Sequence, residues 1–205
     1  MTNDLPPRDT LIQPGDTAPD FTISTQDRED WSLSDAVKKG DVVLCFFPFA
    51  FTGVCGTEME CLSKEMKRWN DAGATAVGIS CDSFAALKAW AEREGYTNTM
   101  LSDIHRTVCK AYGLYWAELN VAQRGTVVIG QSDDGVGTVL ALRYRRRLGR
   151  RGRRTRGTAN LAAGGARQCI HLCISSVEVA RKMKSPTAAR REWEEGKGRE
   201  RAGHG

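Results

Sequence analysis

No apolar run in this chain reaches the roughly 18 uninterrupted residues that a membrane-spanning helix needs, so none is expected. No C-x-x-C occurs, so the redox motif of thioredoxins is absent. The opening stretch "MTNDLPPRDT" is polar and lacks the basic-then-apolar pattern of a secretory signal, which makes a cytoplasmic location the expectation. Structural disulfides are not expected either. The seven cysteines (Cys45, Cys55, Cys61, Cys81, Cys109, Cys169 and Cys173) are odd in number, and the chain of 205 residues is not a small secreted scaffold. Reactive or plainly buried thiols fit better. "CIHLC" at 169–173 sets a His between two thiols, but that spacing does not by itself define a metal site, and neither metal nor cofactor is expected.

What the chain does have is a division of charge. Residues 1–140 carry 12 Lys or Arg against 20 Asp or Glu, a net of −8, while residues 141–205 carry 18 against 5, a net of +13. The switch begins in "LRYRRRLGRRGRRTRG", where arginine and glycine alternate with almost nothing apolar. Such a run repels itself and cannot bury surface, so a disordered or polyanion-bound tail is expected. The expected organisation is a folded domain over 1–142 and a basic tail over 143–205.

Before that boundary the patterns alternate. "DVVLCFFPF" (41–49) reads as a buried strand, and 57–73 has apolar residues at helical spacing, with Gly73 as a stop. "ATAVGIS" (74–80) is a second strand. "DSFAALKAWAEREG" (82–95) opens on Asp or Ser as a cap and closes on Gly95. A short strand over 99–103, a short helix over 104–113 and a hairpin over 125–144 around an Asp-Gly turn complete the pattern. This is an α/β arrangement with helices on both faces of a sheet.

"PFAFTGVC" (48–55) lies between the first strand and the first helix. A thiol reacts as its thiolate. A free cysteine has a pKa of about 8.5, and a helix N-terminus or a nearby cation lowers such values. Cys55 is expected in or just before the first helical turn, where unpaired N–H groups and the positive end of the dipole favour an anion. Thr52 can aim its hydroxyl into the same space, Pro48 stiffens the approach, and Gly53 lets the loop come close. A buried cysteine acting only as a small apolar residue would fill the same slot. Cys45, mid-strand between Leu44 and Phe46, reads that way. Phe49, Phe51 and Trp116 read chiefly as aromatic core.

Pro48, Thr52 and Cys55 form P-x-x-x-T-x-x-C, which resembles the active-site motif of peroxiredoxins of the alkyl hydroperoxide reductase/thiol-specific antioxidant family. "PGDTAPDF" (14–21), "LSD" (101–103), "AYG" (111–113) and "RGTVVI" (124–129) are similar to further landmarks in the same order. The likeness spans about 13–140, and "FTGVCGTEMECL" is most similar to the one-Cys and bacterioferritin-comigratory branches. The resemblance implies a thioredoxin-like fold with a central mixed sheet, and thiol-dependent reduction of hydrogen peroxide and organic hydroperoxides. It makes Cys55 the peroxidatic cysteine, which becomes sulfenic acid. It makes Arg124 the guanidinium that favours the thiolate and holds the peroxide oxygens, with Thr52 and the Cys55 N–H as further donors. Glu58 is either a carboxylate that orients Arg124 or a helix-surface charge.

One branch resolves the sulfenic acid with a cysteine five positions on, where this chain has Glu60. Cys61 is six on, about 240° around and about 9 Å along an intact helix, so it can resolve only if the first turns unwind. Cys81 and Cys109 are rival resolvers, and an external thiol or thioredoxin-like protein is the remaining reductant. A homodimer is a candidate assembly. The family normally continues with a strand and a packed helix, but no match is seen from about 143 on. A change of reading frame or an intron read-through would produce that switch. Two alternatives stand beside the peroxidase: a nucleic-acid binder acting through phosphate contacts of the tail, and a thioredoxin-like protein without peroxidase activity.

Overall fold

The computed structural model describes residues 5–131 and 137–144. At its centre is a five-stranded sheet of β3 (Asp41–Phe46), β4 (Ala74–Ser80), β5 (Thr99–Ser102), β8 (Gly125–Gln131) and β9 (Gly137–Tyr144), in the order β5-β4-β3-β8-β9. β3, β4 and β5 run parallel, whereas β8 is antiparallel to β3 and β9 to β8. The expected mixed sheet is therefore present.

Both faces of the sheet are covered, as a run buried throughout requires. Along β3 the side chains alternate: Val42, Leu44 and Phe46 enter one core, and Val43 and Cys45, followed by Phe47, enter the other. The first core is closed by α1 (Leu33–Lys39) and α5 (Thr107–Ala111), through Leu33, Ala36, Val37, Val108, Cys109 and Ala111. The second is closed by α2 (Gly53–Lys64), α3 (Met66–Asp71) and α4 (Phe84–Glu94), through Cys55, Met59, Leu62, Trp69, Leu87 and Trp90. Gly78, in β4, faces this second core. A Cβ there would lie 2.7 Å from Met59 Sδ and 3.1 Å from Phe47 Cε1, so the bare backbone lets α2 lie close against the sheet.

Several elements depart from the pattern read in the sequence. The helix expected over 57–73 begins four residues earlier, because Thr52 is extended (φ −109°, ψ 143°) and serves as the N-cap. It is also divided at Glu65, whose φ of −95° and ψ of 8° separate α2 from α3. The stops at Gly73 and Gly95 are where they were expected, at φ of 56° and 70°. Ser83, not Asp82, caps α4: its side chain accepts from the Ala86 N–H.

The helix expected over 104–113 is only α5, because Asp103 accepts from the Val108 and Cys109 N–H groups and fixes a later start. Two small hairpins and α1 have no counterpart in the expected pattern. They are β1 (Thr22–Ser24) with β2 (Asp30–Ser32), and β6 (Tyr115–Trp116) with β7 (Val121–Ala122).

β9 continues to Tyr144, so the described sheet includes Arg143 and Tyr144, beyond the expected boundary at 142. The Asp-Gly turn of the hairpin, the basic tail and "CIHLC" lie outside the described residues. No helix among the described residues is long and apolar enough to cross a membrane.

Candidate active site

The chain leaves β3 through Phe47, whose N–H bonds the Ile79 carbonyl, and half-buried Pro48, and then turns sharply into α2. The turn is built on Phe51, a non-glycine residue at φ 57°. It is tethered from β4's far end: the Asp82 carboxylate accepts from the Ala50 N–H at 2.8 Å and from the Ser80 hydroxyl at 2.9 Å. The Phe51 ring packs on Trp90 at 6.0 Å, with the Arg93 guanidinium 5.5 Å from its centroid. The sequence offered Asp82 only as a helix cap, and its partner lies 32 residues away, a pairing no local pattern reveals.

Cys55 is the third residue of α2 and is only 1% exposed, although Thr52, Gly53 and Val54 just before it are exposed. It therefore sits in the first helical turn, among N–H groups that lack intrahelical acceptors. Arg124 reaches it from β8. The register pairs Phe46 with Gly125, which brings the residue just before the strand to the end of the sheet where the loop begins. Arg124 Nη2 donates to Cys55 Sγ at 3.3 Å. Its other terminal nitrogen pairs with the Glu58 carboxylate. Glu58 is three residues after Cys55, on the same helix face, and its side chain is only 14% exposed. Of the two readings of Glu58, the ion pair is the one found. Thiol, guanidinium and carboxylate form a line from α2 to β8 and back.

Thr52 plays a different part from the one its hydroxyl suggested. It donates to the Phe49 carbonyl at 2.9 Å, and its side chain makes no capping bond to α2. Its proton is committed within the loop, and its oxygen is left as an acceptor. Phe49 and Phe51, read as core, are instead 37% and 48% exposed.

The other thiols are apart from this line. Cys61 is half-buried on α2, with the helix intact between it and Cys55. Cys81 and Cys109 belong to the core on the opposite face of the sheet. None of the described cysteines is in a disulfide. One further residue braces the turn: the Tyr96 hydroxyl donates to the Gly56 carbonyl at 3.1 Å. Burial pushes the Tyr96 phenol up, which keeps it a donor. Tyr96→Phe is expected to remove about 1 kcal/mol from this turn and to speed amide exchange in α2 about fivefold, without moving the global unfolding midpoint as much. Equal exchange in both proteins would show that the bond does not hold the turn.

The AhpC/TSA family profile matches residues 14–134, more than half of the chain. The chain belongs to that family. Alkyl hydroperoxide reductase E of Mycobacterium tuberculosis (strain ATCC 25618 / H37Rv) is 35% identical over 124 residues, which cover 60% of this chain and 81% of that protein. Peroxiredoxin Bcp of Escherichia coli (strain K12) is 32% identical over 125 residues, covering 61% of this chain and 74% of the relative. These represent the two branches that the sequence most resembled.

Among solved structures, peroxidoxin BcpB from Mycobacterium tuberculosis superposes with a TM-score of 0.66 at 23% identity, over 82% of this chain and 97% of that one, and so shares its fold. The reduced 2-Cys peroxiredoxin of Plasmodium vivax gives a TM-score of 0.57 at 27% identity, over 64% and 71%. The mixed sheet is thus that of a thioredoxin-like peroxiredoxin, and the protein is a thiol-dependent peroxidase. The comparisons lend no support to a nucleic-acid binder or to a thioredoxin-like protein without peroxidase activity.

Proposed function

We propose that Cys55 is the peroxidatic nucleophile and that Arg124, Thr52 and Pro48 form its pocket. The thiolate attacks the terminal oxygen of hydrogen peroxide or an organic hydroperoxide. A sulfur–oxygen bond forms as the oxygen–oxygen bond breaks. Cys55 is oxidised to sulfenic acid, and the leaving oxygen takes a proton and departs as water or alcohol. The single observation that carries the reading is the 3.3 Å contact from Arg124 Nη2 to Cys55 Sγ. A guanidinium there favours the anionic sulfur in the ground state and the charge on the peroxide oxygens in the transition state.

Thr52, its proton spent on Phe49, accepts the hydrogen of the bound peroxide, and the Cys55 N–H donates to an oxygen. Pro48 keeps the approach to the sulfur stiff. Glu58 holds the guanidinium over the thiol. Exposed Phe49, Phe51 and Val54 border the turn and supply apolar surface for organic hydroperoxides, in keeping with relatives named alkyl hydroperoxide reductase. One equivalent of peroxide added to the reduced chain is expected to place sulfenic acid on Cys55. Sulfenic acid found instead on Cys45 would overturn the assignment.

The reductant in this reading is an external thiol or a thioredoxin-like protein. Cys61 is the alternative, but it faces away from Cys55 while α2 is intact. Cys61→Ser is therefore expected to leave the lifetime of the Cys55 sulfenic acid unchanged, and an added thiol should be found in a mixed disulfide. An intramolecular Cys55–Cys61 disulfide with loss of helix at 55–62 would reverse that expectation. The reading also places the activity in residues 1–142, treats the remainder of 143–205 that follows the end of β9 at Tyr144 as a separate basic tail, and assigns the protein to the cytoplasm, with a homodimer as its assembly.

A further inference from the structure

A second pair of thiols lies on the other face of the sheet. Cys81 follows β4, and Cys109 lies in α5, 28 residues later, with the two sulfurs 3.9 Å apart. Their surroundings differ. Cys109 is fully enclosed, whereas Cys81 keeps 7% of its surface in solvent. Either thiol can donate to the other, and the Cys109 thiol also donates to the Arg106 carbonyl at 3.5 Å. The backbone of Ala122 also bonds to the Cys81 sulfur. The bond to Cys81, burial and the nearby Asp103 carboxylate push Cys109 up, while the bond from Cys109 draws Cys81 down. Cys81, the one of the two with surface in solvent, is the sulfur placed to meet a peroxide first.

Two chemistries suit such a pair: a bound cation or a disulfide. Asp103 is close enough to join the sulfurs as a ligand, with all three ligand atoms within 4.8 Å. Its oxygens are already engaged. Oδ1 accepts from the Val108 N–H at 3.1 Å and the Thr107 hydroxyl at 3.4 Å, and Oδ2 accepts from the Cys109 N–H at 2.8 Å. That leaves two sulfurs, short of the four ligands that a structural zinc ion takes.

We propose that Cys81 and Cys109 are a second thiol centre, which hydroperoxide converts into an intramolecular disulfide independently of Cys55. Cys81 sulfur attacks the peroxide, becomes sulfenic acid and releases water or alcohol. Cys109 sulfur then attacks Cys81, the sulfur–sulfur bond forms, and the hydroxyl leaves with the Cys109 proton as water. Two thiols and one hydroperoxide give one disulfide, one alcohol or water, and one further water. The sulfurs must close by about 1.9 Å to reach bonding distance. α5 is only five residues long and is entered through Arg106 at φ 60°, so a short element moves rather than a strand. Arg124 serves the opposite face, so this oxidation is slower than that of Cys55.

The test uses the full chain carrying Cys55→Ser, reduced and then held in excess hydrogen peroxide from seconds to hours, denatured, alkylated and mapped by mass. The expected result is a Cys81–Cys109 disulfide within one chain, formed with loss of two thiols and reversed by dithiothreitol. In the same background Cys109→Ala is expected to leave a trappable sulfenic acid on Cys81 and no disulfide there. Recovery of both residues as free thiols after the longest exposure would overturn the proposal. So would pairing of either with a different cysteine, or one zinc ion per chain retained in wild type and lost in Cys81→Ala. Because Cys55 is absent from the assay, the result is separate from any test of the peroxidase site.

Discussion

Cys55→Ser is expected to lower peroxide turnover by about 10³-fold or more, to the residual rate of the remaining thiols. The reaction consumes two electrons from sulfur, and a serine hydroxyl cannot supply them. The surroundings sharpen the expectation. Cys55 is the described thiol in the first turn of α2, and it is the one on which Arg124 bears at 3.3 Å. Cys45 is nearly as buried, but it projects from mid-strand into the same core as Met59 and Trp69. Folding is not at issue, because serine is nearly the same size as cysteine and the position tolerates it sterically. Turnover is measured by peroxide loss under excess thiol, with the circular dichroism spectrum as a control. A variant retaining activity within tenfold of wild type would remove Cys55 from the mechanism.

Arg124→Met comes next in size, with an expected loss of about 10²-fold in the second-order rate with peroxide, the scale of losing one oxyanion donor. Methionine keeps much of the stem's volume and removes the charge and all five N–H donors. It also strands the Glu58 carboxylate, which is 14% exposed, so some loss of stability accompanies the loss of rate. Arg124→Lys separates the two effects. A lysine restores a cation for Glu58 and hence stability, but it has no planar fork to hold Cys55 and Glu58 at once. Stability recovered with the rate still depressed is the expected pattern. A rate unchanged in Arg124→Met would mean that the contact with Cys55 contributes nothing to peroxide attack.

The strands and helices of the central sheet were legible because their signals are local. β4 is a buried run bounded by Gly73 and Asp82, and α4 carries its own cap and stop in Ser83 and Gly95. The start of α2 was misplaced because apolar spacing begins at Met59, whereas the first turn holds exposed Gly53 and Val54, which leave no periodic trace. β1 and β2, at three residues each, are too short to show alternation, and their pairing is the only reason they are strands.

Within the site, Pro48, Thr52 and Cys55 could be read as a motif, and Arg124 through the resemblance of "RGTVVI". The Glu58 ion pair was one of two readings that the sequence left open. Asp82 to Ala50, Tyr96 to Gly56 and Cys81 to Cys109 span 32, 40 and 28 residues, and such pairs exist only after the chain has folded.

Gly78 offers no side chain to the site, yet it sets how closely the helix that carries Cys55 lies on the sheet. Its missing side chain is the gap into which Met59 fits, and Met59 is one turn beyond Cys55 on α2. A single added methyl would have to displace Met59 Sδ and press on the Phe47 ring at the seat of that helix. The close packing of that helix on the sheet depends on the absence of one carbon atom in the middle of β4. A redesign that kept the motif residues and filled this gap would first have to find Met59 another place to lie.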